Sequence, residues 1–254
     1  MNASLAFAVQ EKSLPVKSEI SEAGTSELRQ AREDAKESAE ALKNMASEEL
    51  LEKGKEHAAY AIQQRLLSLN QAQERIENIY RIRQEEKDKL LTNLENAKNG
   101  LLVIQTQLKN ETNLDQLRAS IKSIYSGYKI YAATLPKNHG LLACNVASYV
   151  IDEKIITSID SLNIIITELQ DAGYDTAGVE EKIVEFSSYI SAAKTEAESA
   201  CAEFEAVQPS QVSEISMPHI DAGKVKMLNV KSNLQIAKDV FQEIVIEIRS
   251  LTSR

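Results

Sequence analysis

Between Leu135 and Leu169 the chain reads LPKNHGLLACNVASYVIDEKIITSIDSLNIIITEL, its most apolar long stretch. Leu141, Cys144, Ser148, Ile151, Ile155, Ile159, Leu162, Ile166 and Leu169 recur there at three- and four-residue steps, which puts them on one stripe of a helix. A strand would need alternation with period two, and no part of the chain alternates over a useful length. Asp152, Glu153, Lys154, Asp160 and Glu168 interrupt the run too often for a membrane span. The stripe must therefore be buried against other helices, and the segments that follow it look built to pack on it.

The rest of the chain repeats this pattern. With 8 Gly and 4 Pro in 254 residues, the means of turning are scarce, so the helices should be long. Helical stripes are expected over Ser26–Lys43, over Ser47 to about Tyr80, and over Glu86–Lys109, with a weak break near Arg81 to Glu85. A fourth helix, Leu114–Leu135, carries Leu117, Ile121, Ile124, Tyr128 and Tyr131 on a coiled-coil-like seam. It should end at the Leu135-Pro136 step, because a residue before proline is pushed out of the helical region. The central helix then starts with Pro136 in its first turn. Asp171 to Thr176 supplies a glycine stop and an Asp/Thr restart for a sixth helix reaching about Ala206. Gln208 to Ala222, with Pro209 and Pro218, reads as a long loop whose Val212, Ile215, Met217 and Ile220 lie on the bundle. A last helix carries Met227, Val230, Leu234, Ala237, Phe241, Ile244, Ile248 and Leu251. The expected fold is all-α, an elongated antiparallel, coiled-coil-like bundle of six to seven helices without a sheet.

Three stretches are expected along the chain: a leader over 1–24, N-terminal helices over 25–111 and a C-terminal helical bundle over 112–254. In the leader, Ala6-Phe7-Ala8 has the A-x-A form that precedes signal-peptide cleavage, but the basic and apolar regions that should come before it are missing. Residues 1–8 are either a signal-peptide remnant or an ordinary N-terminus with a chance match. A net charge of −9 argues against a nucleic-acid partner, which requires concentrated Lys and Arg. No run is long enough for a transmembrane helix.

From Thr112 to His139 the order of features resembles a family of uncharacterised, all-helical, apparently exported bacterial proteins found in small-genome uncultivated lineages. There a Tyr-x-Ile/Val-Tyr/Phe ending leads through a Leu-Pro-Lys-x-His turn into a long helix. Here those positions are Tyr128, Ile130, Tyr131, Leu135, Pro136, Lys137 and His139. The likeness covers roughly residues 58–206. Where the family has a small-residue run with an Asp-Arg pair, this chain has Leu142-Ala143-Cys144-Asn145. The resemblance implies export and a structural turn at Leu135, Pro136 and His139, and it brings no activity, substrate or catalytic residues to carry over.

The residues themselves point the same way. His57, His139 and His219 fall in different segments without metal-ligand spacing, and no phosphate-binding loop or nucleophile elbow is present. No catalytic, metal or cofactor residues are assigned. His139 is expected to hydrogen-bond a helix end. Glu85-Glu86 and Glu180-Glu181 sit at helix starts, where negative charge offsets the exposed N–H groups. Tyr128 and Tyr131 are expected in the core, with Tyr125 just off the seam.

The only two cysteines remain. If the central and sixth helices form a hairpin, Cys144 lies about 27 residues before Asp171 and Cys201 about 26 after Asp175. At roughly 1.5 Å per residue both stand about 40 Å from the turn, and so at one height on facing stripes. An interhelical disulfide is expected there; the alternative is two buried thiols acting as small apolar groups. The resulting expectation is a non-catalytic exported protein, an interaction or structural module of the cell envelope or surface with a protein or envelope partner. A cytoplasmic coiled-coil scaffold or adaptor is the alternative, and a helical small-ligand or metal-binding protein a more distant one.

Overall fold

The computed structural model describes residues 47–126, 129–209 and 213–253. The leader, the Ser26–Lys43 segment, Tyr128 and Val212 lie outside them. Ala46–Arg254 forms one compact unit. Its helices are α1 (Ser47–Glu77), α2 (Gln84–Asn110), α3 (Leu114–Ser126), α4 (130–171), α5 (Ala177–Ala206) and α6 (Ser213–Thr252). No strand occurs among the described residues.

Local chemistry sets the ends of these helices. The weak break falls where expected: α1 stops at Glu77, and Lys87 of α2 reaches back to donate to the Glu77 and Ile79 carbonyls. Asn113 Oδ1 accepts the backbone N–H groups of Asp115 and Gln116, capping α3, while Gln116 accepts the Thr112 N–H. Between α4 and α5, Gly173 takes φ +84°; its N–H bonds the Gln170 carbonyl and that of Tyr174 bonds Leu169. This is a Schellman stop, and it turns α5 back antiparallel to α4.

Two boundaries differ from expectation. The anticipated turn at Leu135, Pro136 and His139 is absent, because α4 runs through it without a break. The residue that departs from helical geometry is instead Lys129, just before Ile130, which takes a left-handed conformation at φ 38°. Leu135 is helical at φ −66° and ψ −48°, and its N–H bonds the Ile130 carbonyl five residues back. A proline ring inside an α-helix collides with the carbonyl four residues earlier. The widened π turn Ile130–Thr134 moves that carbonyl aside, so Pro136 is carried without a break. A second π turn, Ile151–Ile155, lies between the α-helical stretches Leu135–Val150 and Ile156–Asp171. The second correction concerns the expected loop over Gln208 to Ala222. From Ser213 onward it is already α6, with exposed Pro218 near the start, where only one intrahelical bond is lost. Ile220 is buried as expected, but Ile215 and Met217 face solvent.

Two apolar clusters fill the unit. The first gathers Ile62, Leu69, Ile76, Leu90, Leu94, Leu101, Ile124 and Ile130 with Leu141, Cys144, Ala200 and Phe204, and so runs across residue 111 without interruption. The second is made of Ile151, Leu162, Ile166, Val179, Ile183, Phe186, Ile190, Ala193 and Ile244, among others, from α4, α5 and α6. Between them α5 offers only Ala197 as a buried apolar residue, and α4 has no buried residue from Asn145 to Val150. The two cores are thus separated by a thin layer that α5 crosses on Ala197 and α4 on half-buried residues.

Candidate functional site: the bridge between the two cores

At that thin layer α4 and α5 are joined by other means. The structure bonds Cys144 to Cys201, with their Cα atoms 5.6 Å apart, the pair that the equal-height argument selects. Two turns further along, Asp152 in the second π turn receives Lys194 of α5 at 2.7 Å and Arg83 from the start of α2. Burial alone would raise the Asp152 carboxyl, but hydrogen bonds from Lys194 and Arg83 outweigh it and hold it below its ordinary range. Three helices therefore meet at one carboxylate beside one covalent bond. The apolar stripe pointed to the cysteines but gave no sign of the ionic contact.

The disulfide forms one side of an open cleft. Asn145, Ser148 and Asp152 of α4 make its floor, Arg83 and Glu86 one wall, and Glu198, Cys201, Ala202 and Glu205 the other. Cys144 is fully buried, whereas Cys201 is half-buried and faces this space. The Asn145 amide oxygen lies 3.6 Å from Cys201 Sγ.

One turn beyond the bridge, the Phe204 ring is wedged between α4 and α6. A Cβ built on Gly140 would stand 2.4 Å from the ring, and one on Gly223 would stand 2.7 Å from it. Only glycine fits on both sides of this ring. Nearby, Lys137 Nζ donates to the Glu205 carbonyl at 3.1 Å and to Val207 at 2.8 Å, closing the C-terminus of α5. The helix-end role expected of His139 thus belongs to Lys137. Replacing Lys137 by Met keeps the stem and loses the cap; it should cost about 1 kcal/mol in urea unfolding.

His139 is half-buried, and its Nε2 is enclosed with no hydrogen-bond partner among the described residues. Burial, and beyond it the Arg75 guanidinium, push the imidazole below its ordinary value. The folded state therefore holds His139 neutral while the unfolded chain takes up a proton below about pH 6.5. Stability contributed by this group is full above that value and falls as pH drops, until the folded pKa is reached. Melting temperatures of the protein and of H139Q, compared at pH 7.5 and pH 5, should show a smaller acid loss in the variant.

The remaining candidates are dispersed. His57 lies half-buried on α1, and His219 of α6 bonds Glu203 of α5 through Nδ1 at 2.8 Å. Among the described residues no group of three or more His, Cys, Asp or Glu converges as a metal ion requires, and no helix is long and apolar enough to cross a membrane. Tyr125 and Tyr131 are half-buried and stack on Arg65, 4.5 Å and 5.4 Å from the guanidinium carbon, with the Tyr131 hydroxyl 3.2 Å from Ser68 Oγ. Arg65 is buried, while Leu66 beside it is half-buried. Burial lowers its pKa, against the opposing pull of the two tyrosines.

Fold and site together define a disulfide-bridged all-α protein whose helices are joined across two cores. No protein-family model, curated protein or solved structure matches the chain.

Proposed function

We propose that this protein is a non-catalytic, exported helical module that acts in interaction or support at the cell envelope or surface. The observation that carries the reading is the Cys144–Cys201 bridge, since disulfides persist where the surroundings are oxidising and are rare in the cytosol. The placement of the polar side chains supports the non-catalytic part: Asp152, Lys194, Arg83, Lys137, Glu203 and His219 all tie one helix to another. The test is to fractionate cells expressing the chain, block thiols by alkylation before lysis, and weigh the intact protein. Recovery from the envelope or medium with neither cysteine alkylated is expected. Recovery from the cytoplasm with two alkylated thiols would overturn the reading in favour of an intracellular scaffold.

A further inference from the structure

We propose that the cleft makes Cys201 a directed site of thiol–disulfide exchange for small, non-anionic thiols, with Cys144 as the protected leaving sulfur. The two sulfurs differ in access. Cys144 is fully buried in the first core, among Leu141, Ala200 and Phe204, whereas Cys201 borders an open cleft and has the Asn145 side chain close to its sulfur. A thiolate can reach only one of the two sulfurs without unfolding the bundle.

Charge sets the class of thiol. Glu86, Asp152, Glu198 and Glu205 line the cleft against a single guanidinium, Arg83. Lys194 binds Asp152 and Lys89 binds Glu86, while on the wall that carries Cys201 the carboxylates Glu198 and Glu205 lie in the fields of Lys194 and Lys137 without the direct ion pairing that Asp152 and Glu86 have. An anionic thiol meets repulsion there, and one carrying an ammonium group does not.

The thiolate sulfur bonds to Cys201 Sγ, and the Cys144–Cys201 bond breaks with its electron pair on Cys144 Sγ. A second thiolate attacks the added sulfur, giving the small disulfide and a Cys201 thiolate; both cysteines are then protonated from water. In total, two thiols are oxidised and one protein disulfide is reduced. Before that second step the Cys144 thiolate lies in apolar surroundings that disfavour its charge. It can return to Cys201 and expel the adduct. The bridge therefore re-forms unless the thiol is in excess. None of this depends on the compartment in which the protein works.

The experiment uses the oxidised full chain with 2-mercaptoethanol, cysteamine or 3-mercaptopropionate at matched thiolate concentration. Samples are quenched in acid, alkylated after unfolding and mapped by mass spectrometry. The adduct should be at least about tenfold more abundant on Cys201 than on Cys144. Cysteamine should react about fivefold faster than 3-mercaptopropionate at low salt, a ratio that shrinks in 1 M salt. The E198Q/E205Q variant, checked for an unchanged melting temperature, should narrow the ratio. Adducts divided evenly between the cysteines would overturn the proposal, because they mean that the bridge is reduced only after unfolding. Rates indifferent to thiol charge would overturn the selectivity assigned to the cleft. As a second measure, the single thiol of C144A should react with iodoacetamide at least about tenfold faster than that of C201A; equal rates would count against the proposal.

Discussion

Replacing both Cys144 and Cys201 by alanine is expected to lower the free energy of unfolding by about 4 kcal/mol relative to the oxidised protein. The two cysteines are 57 residues apart in sequence, and closing a loop of that length removes much of the freedom of the unfolded chain. For a unit of this size the melting temperature should fall by about 10 °C. Urea unfolding of the oxidised protein and the variant measures the difference. A loss under about 1 kcal/mol would mean that helix packing alone already imposes the constraint.

The second large effect centres on Phe204. Phe204→Ala should cost about 3–5 kcal/mol, because the buried ring of this α5 residue fills the space toward α4 and α6. The glycines on either side provide a sign test. In an open helix Gly→Ala stabilises by about 1 kcal/mol. Here G140A and G223A drive a methyl into the ring and should destabilise by about 1–2 kcal/mol after that gain is set against the overpacking. If F204A reverses the sign of the G140A effect, the wedge is established. Stabilisation by G140A with Phe204 present would refute it.

The stripes were readable because burial on a helix repeats with the turn. Ile183, Phe186, Ile190 and Phe204 on α5, and Leu162, Ile166 and Leu169 on α4, are buried where their spacing puts them. The cysteine pairing was readable for the same reason, since residue counts from a tight turn translate into height. Local conformation was harder. Leu135-Pro136 carries a breaker's signature, yet a π turn absorbs it, and the turn's bonding pattern leaves no mark in the apolar spacing. Gly140 and Gly223, inside helical patterns, were the visible trace of the Phe204 wedge, because an interior glycine often marks a close approach. The Arg83–Asp152–Lys194 contact left no trace, since charged residues on a helix surface look alike until the fold brings three of them together.

The position of the bridge also decides how the chain responds to being pulled. Cys144 and Cys201 stand at the base of the α4–α5 hairpin, 5.6 Å apart, with the Schellman turn at its far end. Under tension applied from outside this pair, force passes from α4 to α5 through the sulfur–sulfur bond and bypasses the hairpin. The enclosed residues would otherwise pay out about 190 Å of extended chain. With the bond formed they add almost no length, and the hairpin carries no load while the residues outside it unravel. Oxidation thus sets how far this protein can be stretched between two attachments.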